Sequence, residues 1–311
     1  MNSTCLLGLM VALSFAGRAT AGLDLREGCA VQFASAHQGA DILGRKDDFI
    51  ERLSAFDRAA RVKTDRSVSE QEFLKFVKKS VLTWNESEKA RIEAAIAKIQ
   101  PALEALPLSL PKIIYLVKTS GEEEGKAFYT RDTAIVFPES QIRDPDAEFL
   151  QKIIAHELFH IWSRKNPVLR EKLYALIGFT KCPEIDVPAD LKQRKITNPD
   201  APRNDHSIHL QVDGREVAGI PILFSASEKY DTKRGGEFFE YLQFKFLLTP
   251  ANQLADPEKV SGFLEQVGRN TSYVIHPEEI LAENFVLLIL DQHDVASPEI
   301  LLRMRQVLES K

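Results

Sequence analysis

The chain has 311 residues, of which 44% are hydrophobic and 27% are charged, so its composition is that of a globular protein and excludes wholesale disorder. Its 40 basic and 45 acidic residues give a net charge of −5, which excludes the basic field that would gather nucleic acid. No apolar run approaches the ~20 residues that span a bilayer, so we expect a globular protein without a transmembrane anchor.

Residues 1–21 are typical of an export signal. An apolar run from Cys5 to Gly17 is followed by Ala19-Thr20-Ala21, a small-residue cleavage site that predicts a processed chain beginning at Gly22. No Lys or Arg precedes the run, and a short buried helix is the alternative interpretation. If the segment is an export signal, the protein is secreted or periplasmic.

Two cysteines remain after that cleavage, Cys29 and Cys182. In an exported chain they are candidates for one disulfide, which would join the N-terminal segment to the middle of the sequence. Two isolated thiols are the alternative.

Residues 22–110 are predicted to form a mainly helical N-terminal region. Apolar side chains recur at helical spacing in the segments 49–56 and 73–81. Ser87 is a candidate N-cap for a further helix, which Pro101 should interrupt. These apolar stripes are interpreted as core faces and carry no chemistry of their own.

Strand patterns begin at Pro111, and residues 111–311 are predicted to form an α+β domain with a mixed sheet. The predicted elements are, in chain order, a strand at 112–117, a hairpin at 127–137, a helix from Asp144-Pro145 to about Lys165, a helix from Pro167 to Gly178, a long loop or lid at 182–204, a hairpin at 207–224 turning at Asp213-Gly214, and helices at 277–290 and 298–308. The segment 237–248 is apolar and of uncertain type.

The helix predicted after Asp144 contains His156-Glu157-Leu158-Phe159-His160, an H-E-x-x-H pattern. Residues four apart lie one turn apart on one helix face, so His156 and His160 can bind a single zinc ion. Glu157 lies about 100° further round the helix, where its carboxylate can reach the water that zinc activates at neutral pH. The pattern predicts a hydrolytic zinc site; three buried polar groups satisfied by hydrogen bonds are the alternative.

A catalytic zinc ion needs a third protein ligand, and the helix predicted to begin at Pro277 offers candidates. Glu279 and Glu283 share one helix face, so one carboxylate can bind the metal while the other holds a ligand histidine. Two acids at this spacing repel each other when unpaired, which favours a cation beside them. Glu278 and His276 are competing ligands, and a solvated acidic helix start is the alternative interpretation.

H-E-x-x-H followed by a downstream helical E-x-x-x-(D/E) resembles the gluzincin metallopeptidases, the thermolysin-like group. The resemblance implies a zincin-like catalytic domain, a mixed sheet with an active-site helix. The residues that match the family's motifs are the zinc ligands His156, His160 and Glu279, the general base Glu157, and the supporting acid Glu283, where Asp is more usual. The spacing departs from the family, because 119 residues separate His160 from Glu279 and the familiar members have a few tens.

The resemblance also implies a substrate-binding edge strand before the metal helix. The residues in its place are Ala127, Phe128 and Tyr129, while Lys126 replaces the Asn that would hold the substrate backbone. Similar enzymes stabilise the oxyanion with a Tyr or His from the segment between the ligands. The candidates for that role are Tyr230 first, then His206 and His209.

By this resemblance the chain is expected to be an exported zinc metallopeptidase that acts on peptides or proteins. One alternative is a zinc-dependent hydrolase of a non-peptide bond, and another is a non-catalytic exported binding protein with a vestigial metal site. Glu157 argues against the binding protein, because a purely structural metal site has no use for that acid.

Overall fold

Two β-sheets organise residues 22–143 and 146–310, which are the residues that the computed structural model describes. The strands of the first sheet are β1 (Leu23–Arg26), β2 (Cys29–Phe33), β3 (Val81–Leu82), β4 (Ile113–Thr119), β5 (Tyr129–Arg131) and β6 (Ala134–Pro138). Their order is β1-β2-β4-β6-β5, with β3 beside β4. The sheet is mixed, because β4 runs parallel to β2 and β6 while the other pairs are antiparallel.

The second sheet is antiparallel throughout. Its strands, in spatial order, are β7 (Phe179–Lys181), β8 (His206–Val212), β9 (Arg215–Ser225), β10 (Leu242–Thr249) and β11 (Gln253–Ala255). The predicted hairpin is β8–β9, and it turns at Asp213-Gly214, where both φ angles are positive as a tight two-residue turn requires. The segment of uncertain type forms one 3₁₀ turn, Phe238–Tyr241, followed by β10. This sheet lies between His160 and Glu279 in sequence and accounts for much of their separation.

Helices accompany both sheets, so the chain is α+β with a mixed sheet, as the sequence predicts. Those before β4 are α1 (Ala36–Leu43), α2 (Asp48–Arg52), α3 (Ala55–Arg61), α4 (Glu70–Ser80) and α5 (Glu86–Glu104). Those after β6 are α6 (Glu139–Ile142), α7 (Ala147–Lys165), α8 (Pro167–Leu176), α9 (Ala189–Lys192), α10 (Phe263–Val267), α11 (Pro277–Ile289) and α12 (Pro298–Glu309). The long predicted loop at 182–204 contains only the single turn α9.

The N-terminal region also contributes strands, which the sequence does not predict. β1 and β2 are four and five residues long, too short for an alternating pattern to stand out among helical segments. β2 lies between β1 and β4 and pairs with β4 from Ala30 to Phe33. The boundary placed at residue 110 therefore falls between two neighbouring strands of one sheet.

Helix α5 differs from its prediction at both ends. Asn85, and not Ser87, is the N-cap: its side chain accepts from the N–H of Glu88, whose carboxylate accepts from the N–H of Asn85. Pro101 lies inside the helix and does not end it. The apolar face continues to Leu103, which is fully buried, and this packing outweighs the hydrogen bond that proline cannot donate.

Helices α7 and α11 pack against each other, and this packing positions the two sequence motifs. The ring of Phe159 lies 5.6 Å from that of Phe285 between them. The predicted helix start at Asp144-Pro145 lies outside the described residues, and Asp146 caps α7 by accepting from the N–H of Glu148. The helix ends at Lys165, as predicted.

The two cysteines of the described chain are free thiols. Cys29 lies in β2 of the first sheet, where burial raises the pKa of its thiol to about 11. Cys182 follows β7 of the second sheet and donates its N–H to the carbonyl of Asp205. The structure therefore agrees with the alternative of two isolated thiols and not with the disulfide.

Residues 1–21, where the sequence predicts an export signal, lie outside the described residues. Among the helices of 22–143 and 146–310, none has both the length and the apolar character that a membrane crossing requires.

Candidate metal centre

Helices α7 and α11 bring two histidines and a carboxylate to one point. Nε2 of His156 lies 3.1 Å from Oε2 of Glu279, and Nε2 of His160 lies 3.6 Å from the same oxygen. The three donor atoms lie within 4.8 Å of one another. The structure thus brings together the three ligands that the sequence singled out, and two imidazoles with one carboxylate are a donor set typical of catalytic zinc.

Two buried atoms beside this point have no hydrogen-bond partner among the described residues: Nε2 of His160 and Oε2 of Glu157. A buried polar atom without a partner costs about 1–3 kcal/mol, so two such atoms together need an explanation. A cation on His160 and a water molecule on Glu157 would satisfy both. The residues therefore fit a divalent ion such as zinc.

A second carboxylate lies behind each histidine ring. Oε1 of Glu283 is 2.9 Å from Nδ1 of His156, in the arrangement that the sequence predicts. Oε1 of Glu278 is 3.1 Å from Nδ1 of His160, so Glu278 supports a ligand and does not compete as one. His276, the other competing candidate, caps α11 by accepting the N–H of Glu278 on its Nδ1. An acid on one ring nitrogen fixes the tautomer and leaves the other nitrogen free for a metal.

Further polar side chains hold these carboxylates in place, and no pattern in the sequence indicates them. Glu278 is buried and accepts from the hydroxyls of Ser163, at 2.8 Å, and Tyr174, at 2.5 Å. The amide of Asn198 donates to Oε1 of Glu279 at 2.6 Å, which leaves Oε2 facing the two histidines. These residues come from α7, α8 and the long loop, and no spacing rule connects them to the motif.

Burial and paired charges shift the pKa values of the centre. Burial opposes the charged form of His156, but hydrogen bonds to Glu279 and Glu283 outweigh it and raise its pKa to about 10. Burial favours the neutral form of Glu279, yet the histidines hold its pKa well below its usual range. Burial, with the charge of Asp200, raises the pKa of Glu157 to about 8. A metal ion would therefore displace protons on binding.

A cavity of about 240 Å³ opens on the centre. Its polar wall carries His156, Glu157, Glu279 and Glu283. Its lining also includes apolar side chains, namely Phe128, Ile153, Leu223, Phe238, Phe239 and Leu242. Such a combination of an apolar wall with a few convergent polar groups is typical of a small-ligand or side-chain binding pocket.

The segment expected to form the edge strand is only partly a strand. β5 lies at the edge of the first sheet and begins at Tyr129, whose buried hydroxyl donates to Glu123. Ala127 and Phe128 precede β5 and line the cavity. They border the metal centre, but their backbone does not pair with β6.

Tyr230 does not reach the metal centre, contrary to the sequence-based expectation. Its hydroxyl donates to the carbonyl of Gly236 at 2.9 Å, and its ring packs 5.3 Å from that of Tyr241. It lines a different cavity, with Phe56 and Lys229. The loop between β9 and β10 folds on itself, so the hydroxyl is satisfied locally.

The two histidine candidates also lie elsewhere. His206 is buried between Asp205 and Glu171, at 2.7 and 3.0 Å, and His209 is exposed on β8 beside Glu216. Neither is among the described residues that line the cavity of the metal centre.

Tyr273, which the sequence did not single out, lines that cavity instead. Tyr273 lies at the rim of the cavity and is 43% exposed. Burial of its hydroxyl and the carboxylates of Glu279 and Asp200 raise its pKa, so the phenol stays protonated and can donate a hydrogen bond. Tyr273 lies in an irregular segment before α11, where no periodic pattern marks it.

Comparison with known proteins identifies no relative: no family model, no curated protein and no solved structure matches the chain. The resemblance to the gluzincins therefore rests on two short motifs and on the geometry of the centre.

Proposed function

We propose that the chain is a zinc-dependent metallopeptidase of the gluzincin type, with a zincin-like catalytic domain. The observation that carries the proposal is the convergence of His156, His160 and Glu279 beside two unpartnered buried atoms, Nε2 of His160 and Oε2 of Glu157. Structural zinc sites use four protein ligands, whereas catalytic sites use three and keep one position open. Three ligands next to an unpaired acid support hydrolysis over a structural role.

Zinc, when bound, supplies a Lewis acid and activates water at neutral pH. Side chains of the protein transfer the proton, stabilise the oxyanion and orient the metal ligands. A cation beside Glu157 would favour its carboxylate form. Its unpartnered Oε2 then takes a proton from the attacking water and passes it to the leaving amine. The hydroxyl of Tyr273 donates to the oxyanion. Glu278 and Glu283 hold the histidine rings so that each Nε2 faces the centre.

A peptide is the substrate class that the cavity supports best. The edge of β5 can accept an extended peptide as an added strand, and Phe128, Phe238 and Leu242 offer an apolar wall for a side chain next to the scissile bond. Glu283 lines the same cavity and disfavours an acidic side chain there.

Replacing Glu157 with Gln tests the proposal. We expect one zinc per chain in both proteins by metal analysis, and a fall of at least about 10²-fold in hydrolysis of a quenched peptide library. Glu148→Gln, which changes an exposed acid on the same helix that pairs with Lys152, is the matched control and should change neither measurement. Equal peptidase activity of the wild type and the Glu157→Gln variant would refute the mechanism.

The same experiment separates the alternatives. Zinc retention with turnover of esters or simple amides, but of no peptide, would favour a non-peptide hydrolase. Zinc retention with no turnover in either protein would favour a binding protein.

Export is also a proposal, and it rests on residues 1–21 alone. If the signal is cleaved, the exported protein begins at Gly22, which N-terminal sequencing of protein from the periplasm or the medium would show.

A further inference from the structure

Residues 197–203, here called the strap, lie between two cavities, one of which opens on the metal centre. Residues 197–200 line the 240 Å³ cavity. Residues 199–203 line a second cavity of about 550 Å³, which reaches Ser163 and Glu278 behind His160. Pro199 and Asp200 lie on the wall of both, so lifting the strap would join the two cavities into one cleft.

Asp200 lies in the space that the reaction needs. One of its carboxylate oxygens, one of Glu157 and a ring nitrogen of His160 lie within 4.8 Å of one another. A water on Glu157 needs an O···O separation of about 2.7 Å, and a substrate carbonyl must lie ~3 Å from that water. Asp200 therefore occupies part of the space beside Glu157 and His160 that the water and the substrate carbonyl would share.

The strap also forms hydrogen bonds with backbone and side-chain groups that a substrate strand would need. Oδ1 of Asp200 accepts from the N–H of Thr130 at 2.8 Å and from the Thr130 hydroxyl. Thr130 belongs to β5, and this N–H points away from β6, toward the open edge of the sheet. Asn198, two residues earlier in the strap, donates to Glu279. The strap therefore covers the edge strand and the metal centre at once.

The two ends of the strap are held with unequal strength. At one end, Thr197 donates its N–H and its hydroxyl to the buried carboxylate of Asp57. At the other end, the half-exposed guanidinium of Arg203 pairs with Asp48 at 2.8 Å and with Glu184 at 3.6 Å. The Arg203–Asp48 contact is bidentate but partly exposed, whereas Thr197 is hydrogen-bonded to a fully buried carboxylate. Solvent therefore competes more strongly at Arg203, and we expect the strap to detach at Arg203 before Thr197.

We propose that the strap holds the metal centre in a latent state, with Asp200 and Asn198 in the place of a substrate, and that detachment of the strap opens the site. This regulation rests on the proposed function, because it concerns access to the same three ligands.

The test compares zinc-loaded wild-type protein with Asp200→Ala and Arg203→Gln. The probe is acetohydroxamate, a small anion that needs open positions on the zinc, and its affinity is measured by isothermal titration calorimetry. We expect at least about tenfold tighter binding for Asp200→Ala, and about two- to fivefold for Arg203→Gln, which loosens only the surface anchor. Peptide kcat/KM should rise in the same order. Asp190→Asn, an exposed acid in the same loop, is the matched control and should behave as wild type.

Equal acetohydroxamate affinity in all four proteins overturns the strap proposal, and weaker binding by Asp200→Ala overturns it as well. Arg203→Gln keeps the test valid if Asp200→Ala does not fold, because the ion-pair partners of Arg203 among the described residues, Asp48 and Glu184, are both partly exposed. A wild-type chain that takes up no zinc refutes the proposed function itself, so the two failures are distinguishable.

Discussion

The acids behind the two ligand histidines should differ in their effect on zinc affinity, because they differ in burial. The side chain of Glu278, beside His160, is 4% exposed, and that of Glu283, beside His156, is 39% exposed. Two charges 4 Å apart interact by ~4 kcal/mol at an effective dielectric of 20 but by ~1 kcal/mol in water. Loss of such a supporting group typically weakens metal binding ten- to hundredfold. We therefore expect about 100-fold weaker zinc binding for Glu278→Gln and about tenfold or less for Glu283→Gln.

Glutamine matches glutamate in size, so both variants should keep the fold. In Glu278→Gln, however, one neutral carbonyl replaces a carboxylate that accepts from Ser163 and Tyr174 and contacts His160. The free energy of unfolding should fall by about 1–3 kcal/mol as a buried group loses its partner. Chelator competition at pH 7.5 measures the zinc affinity, and urea denaturation of the metal-free protein measures the stability. Equal zinc affinities for the two variants, or a larger loss for Glu283→Gln, would refute the reasoning from burial.

Two further predictions concern protons. Zinc binding at pH 7 should release at least about two protons. Hydrogen bonds to Glu279 and Glu283 raise the pKa of His156 to about 10, the charges of Asp200 and Glu279 hold the pKa of His160 well above its usual value, and zinc requires neutral rings. Titration calorimetry in buffers of different ionisation enthalpy measures this release, and a value near zero would contradict it. Burial lowers the pKa of His276 from 6.5 to about 4. As the pH drops below 6.5, the His276 imidazole is therefore protonated in the unfolded chain before it is protonated in the folded one. The free energy of unfolding should fall for this reason, by about 2 kcal/mol at pH 5. His276→Asn keeps an acceptor for the α11 cap and should remove this loss in the metal-free protein; parallel stability curves for both proteins would count against it.

The ligand set could be predicted because helical periodicity determines where its members point. His156 and His160 lie one turn apart whatever surrounds them, and so do Glu279 and Glu283. The predicted hairpin at Asp213-Gly214 succeeded for a similar reason, since its turn residues suit positive φ angles.

The rest of the centre depends on contacts between distant parts of the chain. Sequence spacing alone allows Glu278 to be either a metal ligand or an acid that supports a ligand histidine. Its hydrogen bonds with His160 and Tyr174 decide for the supporting role. Asn198 and Tyr273 reach the site from irregular segments, which have no periodic pattern. Tyr230 was chosen by its location between the ligands, but its hydroxyl is already used by its own loop.

The position of β2 limits how such a protein can mature. Its pairing with β4 joins residues on either side of residue 110 in the interior of one sheet. Excision of the preceding segment would turn β4 into a bare edge carrying Ile114 and Leu116, both fully buried in the intact protein, and bare apolar edges aggregate. The same excision would remove Asp57, which anchors the strap at Thr197. Any activating cleavage is therefore expected in a surface loop, with residues 22–110 retained as part of the working fold.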